Sequence, residues 1–415
     1  KEHVPFVDLL EASGYYTGFT GKGVDPFQYA RNDQDTLWRK GNAAGHPFNK
    51  HKYEKNISSD LRTAKGIGLT NYYENFRSFM QQRKDGQPFY FWYGATEPHR
   101  VYEKGSWKRN GKSLDQVDVP GFLPDSEEVR GDMLDYAVEI EWADSHLSKM
   151  LEYLDSIGEL NNTIVIVTAD NGMPFPRAKA NCFEYGVHVP FAVSYSKGFP
   201  GKRRVDDPIS FVDIAPTILE IAGVKPDGML PISGRSFMNI LKSKKEGIVD
   251  QSKKYVYMGR ERHSSSRWQN LGYPQRAVRN QDYLLIWNLR PERWPAGAPQ
   301  MLNKKTGELC PMYGIGEDGT FHPDWAFTDV DDAPSKTFLI ENHKAPVIRP
   351  YFDLAFNKRP EFELYCIGND PFCLDNLIGK KDYAEIENEL KQALLEELKR
   401  SEDPRIVAVS YTHLR

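Results

Sequence analysis

The stretch Thr168–Phe191, TADNGMPFPRAKANCFEYGVHVPF, sets an Asp-Asn-Gly, a Lys, a Glu and a His in one polar segment. Just before it, Thr163–Thr168 (TIVIVT) is an almost unbroken β-branched and apolar run. Such a run predicts a strand covered on both faces, as in a parallel sheet. Upstream, Val129, Met133, Tyr136, Ile140, Ala143, Leu147, Met150 and Leu154 recur in steps of three and four. That spacing predicts one apolar face of a long helix, with Gly158 placed to stop it. A helix feeding a buried strand is an α/β unit. Asp170-Asn171-Gly172 is therefore expected at the strand's carboxyl end, the rim where open α/β sheets bind ligands. The same three residue types also favour ordinary turns, and by themselves they leave both readings open.

The side chains of the segment have a chemistry of their own. Asp170 and Asn171 offer a carboxylate and an amide oxygen side by side, which suits a hard cation such as Ca²⁺ or Mg²⁺. Lys179 adds a mobile positive charge able to hold an anionic oxygen. Glu184 and His188, four apart, either orient that charge or are surface polar residues. Composition narrows the class further. A chain of 415 residues exceeds the usual size of a single core, so two domains are expected. The charged, apolar-poor KSKKEGIVDQSKK (Lys242–Lys254) is the expected boundary, giving 1–245 and 246–407. A net charge of −4 argues against a nucleic-acid protein, and no apolar run is long enough to span a membrane. The four cysteines, Cys182, Cys310, Cys366 and Cys373, lack metal-knuckle spacing; Cys366 and Cys373 either pair or remain thiols.

TADNGMPFPRAKANCFEYGVHVPF resembles the second metal-binding segment of the sulfatases, within the alkaline phosphatase superfamily. Its DNG-x-PFP-x-x-K-x-N form resembles the sulfamidase-like (N-sulfoglucosamine sulfohydrolase-like) branch. LLEASGYYTGFTGKG (Leu9–Gly23), FYFWYGATEPHR (Phe89–Arg100) and FVDIAPTILEIAGV (Phe211–Val224) resemble further segments of the family in the expected order. MGRERH (Met258–His263), YPQRAVRNQDYLLIWNL (Tyr273–Leu289) and ELYCIGNDPFCLDNLI (Glu363–Ile378) resemble its smaller C-terminal domain. The resemblance implies an α/β fold, a mostly parallel mixed sheet sandwiched by helices, with a smaller C-terminal α/β domain. It implies hydrolysis of a sulfate ester or sulfamate on a sulfated sugar, with a formylglycine nucleophile and Ca²⁺, or Mg²⁺, as the metal. Asp170 and Asn171 match metal ligands, and Lys22, His99 and Lys179 match catalytic positions. His188, Glu261, His263, Arg276 and Arg279 are the candidates for substrate contact, since arginine forks suit sulfates and carboxylates on sugars. The expected partners are a sulfated glycan and a formylglycine-generating or anaerobic maturating enzyme, in a periplasmic, secreted or lysosomal setting.

The chain also departs from the family pattern. No Cys or Ser heads a C/S-x-P/A-x-R motif, and the first pair of metal carboxylates is not found. The expectation is a fragment lacking roughly the first hundred residues of a domain of ordinary size. The family's Gly-Lys-x-His reads Gly21-Lys22-Gly23-Val24 here, so the usual base at that place is absent. AVSYTHLR (Ala408–Arg415) is expected to be a non-native tail. Trp287, within YLLIWNL, reads as core, while Trp268 and Trp294 suit either sugar stacking or core. Two other functions stay compatible: a phosphodiesterase or phosphonate hydrolase of the same fold, and a catalytically inactive glycan-binding homologue.

Overall fold

The computed structural model describes residues 4–24, 42–54, 64–299 and 326–407. Cys310, the 408–415 tail and the Trp268 side chain lie outside the described residues. The chain forms two compact units, each assembled from three segments. The first comprises Lys1–Gly111, Asp135–Val165 and Val193–Gln251; the second comprises Lys112–Leu134, Ile166–Ala192 and Ser252–Arg415.

The first unit opens with helix α1 (Phe6–Ala12) and strand β1 (Tyr16–Gly21). β1 lies between the short β2 (His46–Pro47) and β3 (Phe89–Gly94), parallel to both. Its pairing with β3 runs in register from Tyr16↔Phe89 to Gly21↔Gly94. The helix between them, α2 (Tyr72–Gln82), starts where the Asn71 side chain accepts the Glu74 N–H at 3.1 Å. That bond satisfies one of the unpaired donors of the first turn. Tyr72, Phe76 and Phe79 are buried at helical spacing and meet rings projecting from the strands. Phe79 stacks on Tyr16 with centroids 4.7 Å apart and packs at 4.7 Å from Phe91. Aromatic burial of this kind contributes roughly 1.5–3 kcal/mol per ring, so the layer beneath the parallel strands is firmly held.

The one-turn helix α3 (Ser106–Arg109) is fastened by the long helix α4 (Glu127–Ser156). Asp135 accepts Gly105 N–H, Ser106 Oγ–H and Trp107 N–H at 2.8, 2.7 and 3.0 Å. The length of α4 and its stop agree with the apolar spacing, since Gly158 takes a φ of 72° just past its end. Its buried face differs from the expected stripe. Ile140 is exposed, whereas Asp132, Asp135, Glu139, Trp142 and His146 are buried beside Val129, Val138, Met150 and Leu154. Asp132 and Asp135 displace the stripe because they bond to backbone and hydroxyl donors from distant segments.

Strand β4 (Val165–Thr168) pairs with β5 (Phe191–Ser194), flanking the one-turn helix α5 (Glu184–Val187). The expectation of a strand covered on both faces is corrected here. Val167 keeps 40% of its surface and Thr168 is exposed. β-branched residues favour the strand backbone, but burial depends on what packs against it. Helices α6 (Ile214–Ala222) and α7 (Met238–Lys242) complete the first unit.

The C-terminal part of the second unit is an antiparallel sheet of β6 (Val256–Arg260), β7 (Gln275–Arg279), β8 (Tyr283–Asn288) and β9 (Phe362–Cys366), in that order. Helices α8 (Pro334–Glu341) and α9 (Arg349–Phe356) precede β9, and α10 (Ala384–Arg400) and α11 (Pro404–Val407) follow it. Alternation along the strands gives the sheet two apolar faces. Val278, Leu285 and Leu364 face Leu390, Leu394 and Leu398 of α10. Ala277, Leu284, Ile286 and Tyr365 pack instead with Cys182 and Phe183, from the segment first quoted above. Cys182, Cys366 and Cys373 are free thiols. Trp287 stacks on Phe362 and Trp294 packs against Phe327, both as half-buried rings. Among the described residues no helix is long and apolar enough to cross a membrane.

Candidate active site

Two groups of candidate residues are defined, one in each unit. In the first unit, Lys22 and His99 share the carboxyl end of the parallel pair β1–β3. Gly21 and Gly94 face each other there, and Lys22 N–H donates to the Gly94 carbonyl at 2.6 Å. A Cβ on Gly94 would sit 1.9 Å from the Lys22 carbonyl oxygen, so the approach requires glycine. Both candidate side chains are exposed. His99 Nδ1 lies 2.6 Å from the Arg100 carbonyl; that nitrogen therefore carries a proton, and the neutral ring presents Nε2 as its lone pair.

The turn carrying His99 rests on buried residues that the sequence reading passed over. Glu97, 5% exposed, accepts the Tyr72 hydroxyl at 2.6 Å and Gly68 N–H at 2.7 Å. Tyr72 in turn accepts Thr96 N–H at 3.1 Å. Burial, together with the charges of Glu97 and Asp135, pushes the Glu139 carboxyl up to about 8. His146 accepts Tyr73 N–H through Nδ1 at 3.2 Å, and burial pushes it down to about 4. Glu139 is thus a neutral acid and His146 a neutral imidazole at pH 7. The available sequence signal was the carboxylates at positions 132, 135 and 139, on the side of the helix that also carries Trp142 and His146.

In the second unit the segment after β4 is a tightly knotted loop. Thr168 Oγ donates to the Pro190 carbonyl at 2.8 Å, and Gly172 N–H donates to the Gly186 carbonyl at 3.0 Å. A Cβ on Gly172 would fall 1.8 Å from the Tyr185 oxygen, so the Asp-Asn-Gly requires its glycine. These bonds hold Asp170 and Asn171 beside the 184–190 stretch. The loop is fixed to the sheet through Phe183, whose ring lies between the guanidinium groups of Arg177 at 4.0 Å and Arg359 at 4.6 Å. Lys179 reaches Asp331 at 2.7 Å and is largely covered. Arg279 Nε donates to Glu184 Oε1, and His188 Nδ1 bonds Glu184 Oε2 at 2.9 Å. Burial alone would raise the Glu184 carboxyl, but the bonds from His188 and Arg279 hold it below its ordinary value.

The remaining candidates form internal pairs. Arg276, 8% exposed, donates through Nε to Asp403 at 2.6 Å, through Nη2 to Glu261 at 2.5 Å and through Nη1 to backbone carbonyls. Glu261 also accepts Arg405 of α11 at 2.6 Å. Together they clamp the C-terminal helix to β7. His263 Nδ1 lies 3.2 Å from the Asp329 carbonyl. Asp329 is 3% exposed and accepts Arg260, Arg267 and Ser264; despite its burial, His263 together with these partners holds it well below the usual carboxylate range.

As a cation site, Asp170 and Asn171 supply hard oxygens of the right chemistry for Ca²⁺ or Mg²⁺. Asn171 Nδ2 donates to Asp170 Oδ1 at 2.7 Å, so the amide and carboxylate already lie side by side. Among the described residues no group of three or more His, Cys, Asp or Glu side chains converges on one point. The pair thus fits one side of a cation whose shell needs further oxygens.

Comparison with known proteins accounts for this arrangement. A sulfatase family model matches residues 1–224, and a model of the C-terminal part of N-sulphoglucosamine sulphohydrolase matches residues 178–295. An ulvan-active sulfatase of Formosa agariphila is 25% identical over 353 residues, 76% of this chain and 52% of the relative. Human N-sulphoglucosamine sulphohydrolase is 26% identical over 314 residues, covering 68% and 56%. The chain thus spans about half the length of the curated relatives it matches. A solved structure in complex with its substrate D-glucosamine-2-N,6-O-disulfate superposes with a TM-score of 0.56 at 18% identity, over 96% of this chain and 82% of that one. Its likeness identifies the α/β fold as alkaline-phosphatase-like. With the family model covering more than half of the sequence, and Asp170-Asn171 at a strand's carboxyl end, the chain belongs to the sulfatase family.

Proposed function

We propose that this protein hydrolyses the sulfate ester or sulfamate bond of a sulfated sugar. The observation that carries the reading is the loop Thr168–Pro190, a sulfatase segment that ties a carboxylate–amide pair, a covered lysine and a Glu–His pair onto one sheet. Asp170 and Asn171 would hold Ca²⁺, with Mg²⁺ as the alternative. When bound, such an ion supplies Lewis-acid stabilisation of developing negative charge and lowers the pKa of an attacking hydroxyl. The nucleophile in this reading is a formylglycine that a maturating enzyme forms from a cysteine or serine. Lys22 offers an exposed cation to sulfuryl oxygens, and Lys179 a second one once it leaves Asp331. His99, with Nδ1–H committed to the Arg100 carbonyl, would take a proton at Nε2 and, as the imidazolium, deliver it to the departing oxygen or nitrogen. Arg276 and Glu261 keep the structural role their geometry supports.

The leading substrate is glucosamine N-sulfate at the end of a glycan chain, with an O-sulfated sugar as the alternative. Support comes from the match of residues 178–295 to the N-sulphoglucosamine sulphohydrolase C-terminal model. A sulfamate nitrogen needs protonation to leave, which makes an acid such as His99 valuable. Periplasmic, secreted or lysosomal residence follows from that substrate class. The test is sulfate release by the formylglycine-bearing full-length enzyme from glucosamine N-sulfate and from O-sulfated monosaccharides. Release from the N-sulfate is expected. Release only from the O-sulfated set overturns the N-sulfate assignment, and release of phosphate from diesters or phosphonates alone overturns the sulfatase reading.

A further inference from the structure

Two stretches of the first unit, GFPGKRRVDD (198–207) and ILKSKKEGIVD (240–250), concentrate positive charge in a chain whose net charge is −4. They are fastened side by side. At one end Arg203 donates through Nε to the Pro200 carbonyl at 3.2 Å and through Nη1 to the Lys245 carbonyl at 2.9 Å. Its Nη2 donates to the Ile240 and Leu241 carbonyls at 2.5 and 3.2 Å. Those two carbonyls lie in the last turn of α7, where helical bonds leave acceptors open, so the guanidinium caps the helix. In the middle, Val205 and Gly247 form a parallel bridge. Gly247 N–H donates to the Arg204 carbonyl at 3.0 Å, and Asp206 N–H donates to the Gly247 carbonyl at 2.9 Å. At the far end the buried Asp207 accepts Val249 N–H at 2.8 Å and Asp250 N–H at 2.6 Å.

This division of partners leaves the surface one-sided. Asp207 is turned to backbone donors, and Asp250 to Asn239 at 3.1 Å and Arg235 at 3.6 Å. The cations that point outward, Lys202, Arg204, Lys242, Lys244 and Lys245, are all exposed. The four lysines form no ion pair among the described residues. Arg204 meets Asp206 at 3.1 Å with 91% of its side chain in solvent. A pair so exposed contributes little, so an incoming anion can replace Asp206. Glu246 is the other exposed acid of the two stretches. The make-up of the patch selects its partner. Lysine ammoniums are mobile point charges, suited to a polymer whose anions fall in changing register rather than to one fixed bidentate contact. The nearby rings of Tyr195 and Phe199 are half-buried and pack edge-on with centroids 5.2 Å apart. A nucleic-acid strand would meet charge here without the open ring on which bases stack. A polysaccharide recognised through its sulfates needs no such ring.

We infer that this lysine-rich surface is a docking site for a sulfated polysaccharide chain, held through sulfates of the polymer that are not being cleaved. None of its residues belongs to either group of candidate site residues. The inference rests on the sulfated-sugar reading above and adds to it that the enzyme works on a polymer, which it grips away from the reacting end. Arg203 and Asp207 are the frame of the surface; the exposed lysines and Arg204 are its contacts.

The test compares the full-length, formylglycine-bearing enzyme with its variant Lys202→Ala/Arg204→Ala/Lys244→Ala/Lys245→Ala. Binding of a labelled heparin chain is followed by fluorescence anisotropy from about 50 to about 200 mM salt. The wild type is expected to bind and to lose affinity steeply as salt rises, because bound sulfates displace counterions. The variant is expected to bind about 10- to 100-fold more weakly, with a shallower salt slope. Its kcat/KM on a sulfated monosaccharide should match wild type, since so small a substrate reaches only the active site. Its melting temperature should also match, because the four side chains make none of the bonds of Arg203 and Asp207. Lys244→Arg/Lys245→Arg keeps the charge and should keep the heparin affinity. Equal heparin affinity and salt slope in the wild type and the quadruple variant overturn the inference. Tighter wild-type binding to single-stranded DNA than to heparin overturns it as well. Failure of the wild type to release sulfate from any sulfated sugar sinks the sulfatase reading instead, and binding is read without turnover, so the two failures are told apart.

Discussion

Asp170 is the residue on which the metal assignment turns. In the complete enzyme, Asp170→Ala should abolish sulfate release and weaken Ca²⁺ binding, because it removes the one charged oxygen of the Asp170–Asn171 pair. Metal content by elemental analysis and kcat are the measurements, and normal values of both would return Asp170 to an ordinary turn. Its place was legible in the sequence because an acid, an amide and a glycine follow one residue after a strand-forming run. The places of Lys22 and His99 follow from the strands before them: Lys22 directly succeeds β1, and His99 lies in the turn after β3. The arginines were not legible in this way. Arg276 and Arg279 sit in a strand whose sequence says nothing of Asp403 or Glu184, and those partners decide whether a guanidinium faces substrate or core.

Helix α4 carries the lesson at the scale of elements. Apolar spacing located its length and its stop, yet the face it buries includes Asp135, Glu139 and His146. Asp135 is there to cap α3, and Asp132 to accept the Ser335 hydroxyl at 2.7 Å. Such bonds join segments far apart in the chain, so no local pattern announces them. The buried acid makes stability depend on pH. Glu139 titrates near 8 in the folded protein against an ordinary 4.5. The unfolded chain therefore releases this proton first, and the stability present below about pH 4.5 is progressively lost as pH rises toward 8. His146, lowered from 6.5 to about 4, acts in the opposite sense: its contribution is full above 6.5 and is lost as pH falls toward 4. Glu139→Gln keeps the shape of the side chain and removes its proton. It should flatten the alkaline side of the melting-temperature profile, with a gain on the order of a few kcal/mol at pH 8. Equal slopes for wild type and variant between pH 5 and 8 would show that Glu139 ionises freely.

For the whole molecule, the α/β class followed from the sequence, whereas the make-up of each unit did not. The first unit gathers three stretches of chain and the second another three, an interleaving that composition does not encode. What closes the second unit at its C-terminal end is the clamp of Arg276 on Asp403 and Glu261, with Arg405 beside it. Truncating one member of a largely buried ion pair leaves its partners uncompensated, at a cost of about 3–5 kcal/mol. Arg276→Ala should therefore lower the denaturant midpoint of the protein while leaving KM for the sulfated sugar close to wild type in the surviving folded fraction. A raised KM with an unchanged midpoint would move Arg276 back to the substrate.

The seating of Cys182 and Phe183 on the face of β7–β9 has a consequence for biosynthesis. A ribosome adding about 5–20 residues per second releases the loop at 168–190 many seconds before β9 and α10 emerge. Glu184 lacks Arg279 until β7 emerges, and Phe183 lacks its Tyr365 partner until β9 does. The nascent loop must be shielded by its own collapse or by a chaperone. The packing of Phe183 against Tyr365 is therefore completed only once β9 has been made.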